Sequence, residues 1–384
     1  MKKIAVVTST RAEYGLLSPL ISKLRKKEND DLGIDLVVTG THLSKLYGMT
    51  VDEISERIDH RIEIPVESSS SIDISDNQAE TIKRFARLFY KENYEAVVLL
   101  GDRYEILSIA IAACNTRTPI FHLCGGDTTE GAMDEWIRHS ITKMSYLHFV
   151  SNEESRKRVI QLGEDPEHVF NYGSTSIDNI LTLPCDSKKE ALKEIGLDEC
   201  RYALCTYHPV TLGDEKVDEL IARFLGAIRA FPEIEFIVTK ANADQGGGRI
   251  NQLLDEAEPE ISNLNVYTSL GAKKYISLMK YAEFVLGNSS SGIIEAPALH
   301  VPTVNIGDRQ KGRLKSDSVI NCRTDCKSIV DAIKTAMSDE HKIVCEKVLS
   351  PYGTGDAAAR IAEKIVETVA NGRIDLKKKF YDLG

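Results

Sequence analysis

Several features that define other protein classes are missing from this 384-residue sequence. No apolar stretch approaches the roughly 20 residues that a membrane-spanning helix needs. The basic and apolar start, MKKIAVVTST, is followed at once by Arg11 and Glu13, which argues against a cleavable signal peptide. We therefore expect a cytoplasmic protein that has no membrane partner.

The sequence also lacks the cysteine and histidine clusters of disulfide-rich and metal-binding proteins. Its eight cysteines are scattered, and Cys322 and Cys326 have no Cys or His cluster nearby. We expect free thiols and no metal. The net charge of -10 argues against the basic face that a nucleic-acid partner requires. It still allows a phosphorylated small molecule, because a few arginines and helix N-termini suffice to bind one.

Two well-known loop motifs are absent as well. The first strand is followed by STRAEYG and not by G-x-G-x-x-G, so the dinucleotide fingerprint is missing. In FVLGNSSSGIIEAP, residues 284–297, the nucleophile pattern G-x-S-x-G fails, because the fifth residue from Gly287 is Ser291. A small-residue turn at the start of a helix remains, and it suits either a phosphate or a plain serine N-cap. Glu295, one turn into that helix, is placed to accept hydrogen bonds from a ribose.

What the sequence does contain is a regular alternation of strands and helices. The strands are nearly continuous in Val, Ile and Leu, which is typical of parallel strands covered by helices on both faces. The pattern loosens between residues 181 and 200 and then resumes. We predict an α/β fold with two Rossmann-like, doubly wound domains, 1–182 and 183–364, and an active site in the interdomain cleft.

Most of the unusual polar clusters come directly after predicted strands, where ligands bind in this fold. Arg11 suits an anionic ligand at a helix start, with a capping ion pair to Glu13 as the alternative. His208, followed by the rigid Pro209, suits phosphate binding or acid–base work. The clusters are STRAEYG, GDRYE, HLCGGD, HPVT, ANADQGGG, GNSSSG and GDRQKGR.

Carboxylates gather between GDRYE and FHLCGGDTTEGAMDEWIRH. Asp102 and Arg103 end a strand, and Asp134 starts a helix, where an acid is also stabilised as a simple cap. Proton abstraction needs carboxylates whose environments hold their pKa values apart. Gly125 and Gly126 would let the backbone approach a ligand closely. The grouping favours an acid–base site over separate caps.

Together, these motifs resemble the hydrolysing UDP-N-acetylglucosamine 2-epimerases of sialic-acid synthesis, in the same order and from about residue 4 to about residue 370. The motifs that carry the resemblance are STRAEYG, VTGTHLSKLYG, LLGDRYE, GGDTTEGAMDEWIRHSITKMS, YHPVT, NAD at 242–244, GNSSSGIIEAP and NIGDRQKGR.

The resemblance implies a glycosyltransferase-B type fold in which a C-terminal helix, at about 365–384, packs back on the first domain. It implies a nucleotide-sugar partner, no redox cofactor and a homodimer or homotetramer. The implied reaction eliminates UDP from UDP-N-acetylglucosamine to give a glycal, and then adds water with inversion at C2 to give N-acetylmannosamine.

Site residues follow from the resemblance by motif match. It implies that Ser289 and Ser290 bind phosphate and that Glu295 binds the ribose. It also implies that Asp102 and Asp134 are acid–base carboxylates. Asp127 sits where relatives have Glu and shares that role. The implied catalytic residues are Asp102, Asp127, Asp134 and His208, and the implied substrate-binding residues are Arg11, Arg103, Asn242, Ser289, Ser290, Glu295 and Arg309.

The sequence departs from the family at Cys124, where some members carry an acid and others His. A neutral thiol cannot replace a carboxylate base. Relatives in legionaminic-acid-type pathways act on GDP-N-acetylglucosamine or on UDP-diacetamido-trideoxy sugars, so these substrates stay open. The sequence is also compatible with a glycosyltransferase, with a non-catalytic nucleotide-sugar-binding protein and with a non-hydrolysing epimerase.

Overall fold

The chain consists of two compact units. The computed structural model describes residues 1–66, 71–128, 134–209, 215–241, 247–372 and 374–383. The first unit is Met1–Asn179 together with Tyr352–Gly384, and the second unit is Ile180–Pro351. Each contains a parallel sheet with helices, which confirms the predicted α/β fold class with two Rossmann-like halves.

In the described part of the first unit the sheet has seven parallel strands in the order β3-β2-β1-β4-β5-β6-β7. The strands are β1 (Lys2–Thr8), β2 (Leu32–Thr39), β3 (His60–Ile62), β4 (Ala96–Leu100), β5 (Ile120–Leu123), β6 (Leu147–Val150) and β7 (Val169–Asn171). The helices are α1 (Arg11–Arg25), α2 (Ser71–Glu92), α3 (Tyr104–Thr116), α4 (Asp134–Met144), α5 (Glu153–Gln161) and, after the second unit, α14 (Ala357–Ala370).

Both faces of this sheet are buried, as the continuous apolar strands predicted. Along β1, Ile4 and Val6 pack on one face with residues of α1 and α14. Ala5 and Val7, which alternate with them, pack on the other face with residues of α2 and α3. The alternation follows from the two-residue period of a strand, and it leaves the strand ends as the accessible part of the sheet.

The second unit repeats this arrangement, with six described strands in the order β10-β9-β8-β11-β12-β13. The strands are β8 (Tyr202–Thr206), β9 (Glu235–Thr239), β10 (Leu264–Tyr267), β11 (Phe284–Gly287), β12 (Thr303–Ile306) and β13 (Val319–Cys322). The helices are α7 (Lys188–Lys193), α8 (Val217–Arg229), α9 (Gly247–Ala257), α10 (Gly271–Tyr281), α11 (Ser291–Ala298), α12 (Cys326–Ala336) and α13 (Asp339–Lys347). Short 3-10 helices cover Glu258–Glu260 in the second unit and, in the first unit, Gly40–Leu43, Lys45–Tyr47, Thr50–Glu53 and Pro166–His168.

The segment that joins the two units is more ordered than its loosened pattern indicated. Helix α6 (Thr175–Thr182) spans the point where the chain leaves the first unit. Helix α7 follows, and Ser187 and Glu190 form a capping box at its start. This S-x-x-E signature is typical of a helix start.

The C-terminal return to the first unit starts earlier than the expected 365–384. It begins at Tyr352, its helix ends at Ala370, and residues 374–383 contain no helix or strand. The carboxylate of Asp178 caps α14 by accepting from the backbone N–H of Ala358 at 2.9 Å. Long cationic side chains of α14 also cover aromatic rings of the first unit, with Arg360 over the ring of Tyr172.

The segment after α14 is held by a buried carboxylate. Glu164 accepts hydrogen bonds from His148 on β6 and from Lys143 on α4, and it forms an ion pair with Lys378. Burial by itself would raise the pKa of Glu164. The three donors have a larger, opposite effect, and together they lower the pKa from its ordinary value of 4.5 to about 2. The ammonium of Lys378 also donates to the carbonyl of Ser145 at 2.7 Å. The polar C-terminal segment is therefore an integral part of the first unit.

The interactions of Glu164 with His148, Lys143 and Lys378 predict that the free energy of unfolding decreases at acid pH. A carboxylate with a depressed pKa stabilises the folded state above its ordinary value of 4.5, and that contribution is lost as the pH falls toward about 2. We expect Glu164→Gln to lower the free energy of unfolding by about 3 kcal/mol at pH 7, with the difference from wild type shrinking below about pH 4.5. Urea unfolding at several pH values measures this. Glu167→Gln, at an exposed position nearby, should change little, and an equal effect of both variants would contradict the assignment.

The cysteines, the helix lengths and one cluster of possible metal ligands relate to the predictions of free thiols, no membrane partner and no metal. All eight cysteines are free thiols. No helix in the described ranges has the length and apolar character needed to cross a membrane. One described cluster, Asp35, His60 and Glu92, has ligand atoms close enough for a metal ion. However, the ammonium of Lys3 lies 2.9 Å from Glu92 and 3.4 Å from Asp35, so a lysine already supplies the positive charge there.

Candidate active site

In the first unit the predicted site residues lie where the strand order reverses. The chain runs outward from β1 to β3 and then resumes at β4 on the other side of β1. Arg11 follows β1, and Asp102 and Arg103 follow β4, its direct neighbour. Ligands of doubly wound sheets bind at this switch point, beyond the carboxyl ends of the strands. The expectation that these clusters follow strands is met for the described residues.

The β1–α1 turn is built on a buried carboxylate. Glu13 accepts from the backbone N–H of Ser9 at 2.7 Å and from the Ser9 hydroxyl at 2.9 Å. Burial raises the pKa of Glu13 to about 7 despite these hydrogen bonds. Arg11 pairs instead with Glu53 at 2.9 Å, and both side chains are half exposed. Glu13 is therefore not the ion-pair partner that the capping alternative assumed.

Asp102 is oriented by a buried arginine. Arg138, on α4, is 3% exposed and donates from Nε to Oδ2 of Asp102 at 2.7 Å. The same guanidinium donates from Nη1 to the carbonyl of Asp127 at 2.7 Å and to Glu135 at 2.9 Å. One cation thus joins the loops after β4 and β5 to the first turn of α4. About a quarter of the Asp102 side chain stays exposed, so the carboxylate is fixed and still accessible.

The other two predicted carboxylates of this unit differ in their surroundings. Oδ1 of Asp127 accepts from the Ser155 hydroxyl at 2.5 Å and from the Ser151 hydroxyl at 3.3 Å. Asp134 begins α4 and is exposed. Asp127 therefore ties the loop after β5 to the start of α5, whereas Asp134 is open to solvent. Their acid–base roles stay predictions.

Neighbouring residues fix the shape of these loops. His122 is fully buried, its Nε2 lies 2.9 Å from the carbonyl of Gly101, and burial lowers its pKa to about 3, so it is neutral. A Cβ at Gly126 would lie 2.3 Å from the carbonyl of Ser155. Gly126 therefore permits a close approach of the backbone to helix α5, whereas we expected an approach to a ligand.

A cavity of about 510 Å³ opens beside the switch point. Its lining is rich in cations and hydroxyls, which suits an anionic, polyhydroxylated ligand. Arg103 is held there by an ion pair with the buried Glu105 at 2.9 Å. The lining includes Thr10, Arg11, Thr41, Tyr47, Arg103 and Tyr104.

In the second unit the corresponding switch point lies between β8 and β11. His208 follows β8, the serine turn follows β11, and Arg309 follows β12. Gly287, the last residue of β11, has φ +138°, and a Cβ there would lie 2.0 Å from the carbonyl of Thr206. Only glycine fits, which explains the Gly that ends the apolar run FVLG.

The turn after β11 is organised by Asn288. Its side chain accepts from the backbone N–H of His208 at 2.7 Å and donates to the carbonyl of His208 at 2.8 Å. Its own carbonyl accepts from Arg309 at 3.0 Å and from the Gln310 amide at 2.9 Å. His208 and Arg309, both predicted from sequence, are thus brought together with the serine turn.

The serines lie at the start of α11, as the motif predicted. Ser290 is the N-cap residue, but in the described part of the chain its side chain makes no capping hydrogen bond. The Ser289 hydroxyl accepts from the backbone N–H of Ser291 at 3.3 Å. Glu295 is half-buried one turn later. Asn242 lies outside the described residues, so its predicted contact stays a prediction.

Sequence reasoning missed three residues that orient the site, Arg138, Asn288 and Gln310, and it considered Glu13 only as a partner of Arg11, whereas Glu13 accepts from Ser9. Arg138 carried a weak signal, because a charged residue lies beside Ile137 and Ile141 on the buried side of its helix. Nothing in the sequence indicates its partner, which lies 36 residues earlier. In the sequence, Asn288 is only one member of a small polar turn.

Two relatives and a family model match most of this chain. The family model, described as UDP-N-acetylglucosamine 2-epimerase, matches residues 24–366. The polysialic acid biosynthesis protein P7 of Escherichia coli is 38% identical to this chain, over 100% of the chain and 98% of that protein. The GDP/UDP-N,N'-diacetylbacillosamine 2-epimerase (hydrolyzing) of Campylobacter jejuni is 40% identical, over 83% of the chain and 84% of that protein.

A solved structure has a fold similar to that of this chain. The crystal structure of the UDP-GlcNAc 2-epimerase from Neisseria meningitidis bound to UDP-GlcNAc matches with a TM-score of 0.80 at 18% identity, over 96% of this chain and 100% of that one. The family model and the two relatives each span most of the sequence. This chain therefore belongs to the hydrolysing UDP-N-acetylglucosamine 2-epimerase family, and it is a nucleotide-sugar 2-epimerase.

Proposed function

We propose that this chain converts UDP-N-acetylglucosamine and water to N-acetylmannosamine and UDP. The observation that carries the proposal is Asp102, an accessible carboxylate held by the buried guanidinium of Arg138 at the switch point of the first unit. A carboxylate that must take a proton from carbon needs this kind of fixed orientation. The second unit has, at its own switch point, groups that suit a diphosphate.

In the first step, Asp102 removes the proton from C2 while the bond from C1 to the UDP oxygen breaks. A double bond forms between C1 and C2, and the electron pair of the broken bond leaves with UDP. Negative charge then develops on the diphosphate, where donors and cations stabilise it. We assign this role to Arg11, His208, Ser289, Ser290 and Arg309, with Glu295 on the ribose, and Arg103 and Asn242 contacting the ligand.

In the second step, water adds to C1 and a proton adds to C2 from the face opposite the one that lost it. We assign Asp134 and Asp127 to this proton transfer. Asp134 is the more exposed of the two, and Oδ1 of Asp127 accepts from the Ser155 hydroxyl of α5. No redox change occurs, so the cycle requires no redox cofactor. We further propose that the chain forms a homodimer or homotetramer.

A second candidate is the same chemistry on GDP-N-acetylglucosamine or on a UDP-2,4-diacetamido-2,4,6-trideoxyhexose. The Campylobacter jejuni relative, which is 40% identical, is named for a GDP- or UDP-linked diacetylbacillosamine. The elimination step is the same for all three substrates, because it involves only C1, C2 and the bond to the diphosphate. The groups that contact the nucleobase would decide between UDP and GDP, and the groups that contact C4 and C6 would decide between N-acetylglucosamine and the diacetamido sugar.

The test is incubation with each nucleotide sugar in D2O. With the correct substrate we expect free nucleotide and a 2-epimerised free sugar that carries deuterium at C2, detected by NMR and mass spectrometry. A nucleotide-linked epimer would contradict the hydrolytic step. Transfer of the sugar to an added acceptor would indicate a glycosyltransferase. Tight nucleotide binding without turnover of any of the three sugars would overturn the enzymatic proposal.

A further inference from the structure

Asn288 is the point where three strand-end loops of the second unit meet. Its side-chain amide makes two hydrogen bonds to the backbone of His208, in the loop after β8. Its backbone carbonyl accepts one hydrogen bond each from Arg309 and Gln310, in the loop after β12. Asn288 itself belongs to the turn after β11, directly before Ser289. The four bonds therefore connect all three loops through one residue.

Because this network is buried, each of its polar groups needs a hydrogen-bond partner within the protein. Asn288 is 1% exposed and Gln310 is 3% exposed, so water cannot replace a lost partner at either residue. A buried polar group without a partner is costly, and this cost favours the one arrangement in which all four hydrogen bonds form. The N–H and the carbonyl of His208 require a side chain that both donates and accepts in one plane. Asparagine meets that requirement, whereas aspartate has no donor when ionised.

We propose that Asn288 is the positioning residue of the nucleotide site, and that it sets the backbone of His208 and the guanidinium of Arg309 against the serine turn. This inference rests on the proposed function, in which these groups bind the diphosphate. Asn288 acts through its neighbours and needs no contact with the substrate. Its removal should therefore weaken recognition of the diphosphate and leave recognition of the nucleoside unchanged.

The experiment compares Asn288→Ala with a matched control, Asn263→Ala. Asn263 is also a buried asparagine of the second unit, and its amide donates to two backbone carbonyls, Phe231 and Ile234, both at 2.9 Å. It lies before β10, away from the carboxyl ends of the strands. Both variants lose two hydrogen bonds to backbone, so similar losses of melting temperature are expected. Only one of the two variants alters the predicted site.

The measurement is calorimetric titration of the full chain with UDP, GDP, uridine and guanosine. For the diphosphate that binds the wild type, we expect Asn288→Ala to raise Kd about 10-fold or more, with the nucleoside Kd changed less than about twofold. Asn288→Asp, which keeps the shape and one of the two bonds, should fold and show the same selective loss. Asn263→Ala should leave every Kd within about twofold.

Three results would overturn the inference. They are an unchanged diphosphate Kd in Asn288→Ala, an equal loss for diphosphate and nucleoside, and an equal loss in the Asn263→Ala control. If the wild type binds neither UDP nor GDP, the proposed function fails together with this inference. If the wild type binds one of them and Asn288→Ala binds it equally well, the inference alone fails.

Discussion

Asp102→Asn is expected to reduce the turnover number by about 10³-fold or more while the protein still binds UDP. An amide cannot accept the C2 proton, so elimination loses its base. The substitution conserves shape, and the Asn oxygen can still accept from Nε of Arg138, which now donates at 2.7 Å. Most of the groups assigned to UDP belong to the second unit, so the Kd for UDP should stay within about threefold of wild type.

The measurement combines initial rates of UDP release with a titration of UDP. Incorporation of deuterium at C2 should fall in parallel with UDP release, because both steps depend on removal of the same proton. Asp165→Asn, at an exposed carboxylate before a 3-10 helix, serves as the control and should keep the wild-type rate. A near-normal rate for Asp102→Asn would remove Asp102 from the mechanism.

Arg138→Met is expected to have the second largest effect, on both stability and rate. The change leaves Asp102, Glu135 and the carbonyl of Asp127 without their shared donor. Breaking a buried ion pair costs about 3–5 kcal/mol, and we expect a value near the lower limit because both carboxylates are partly exposed. The rate on the folded protein should fall about 100-fold, since Asp102 loses its orientation.

Arg138→Lys separates the two effects. Lysine keeps the positive charge, so much of the free energy of unfolding should return, as measured with urea. It lacks the planar fork that contacts Asp102 and Asp127 together, so the rate should stay low. A wild-type rate in Arg138→Lys would show that charge alone is sufficient. Equal losses of stability and no loss of rate in both variants would mean that Arg138 is only structural.

Part of the candidate site could be predicted from the sequence, because the functional residues of a parallel sheet lie in the loops that follow the carboxyl ends of its strands. A run such as EAVVLL followed by GDRYE identifies a buried strand and the polar loop at its carboxyl end. Asp102, His208 and Arg309 were found in this way, and each lies at a strand end in the structure. The resemblance implied a C-terminal helix at about 365–384, whereas α14 runs from Ala357 to Ala370.

The sequence alone determined the α/β class, the two doubly wound halves and the loops that carry polar residues. These properties follow from periodicity and from glycine positions, which are local. Only the tertiary structure decided which residues orient the site. Arg138 reaches Asp102 across 36 residues, and Asn288 reaches His208 across 80. Such pairs form because folding removes water from both partners, and a buried polar group must then find its hydrogen bonds wherever the fold brings a partner.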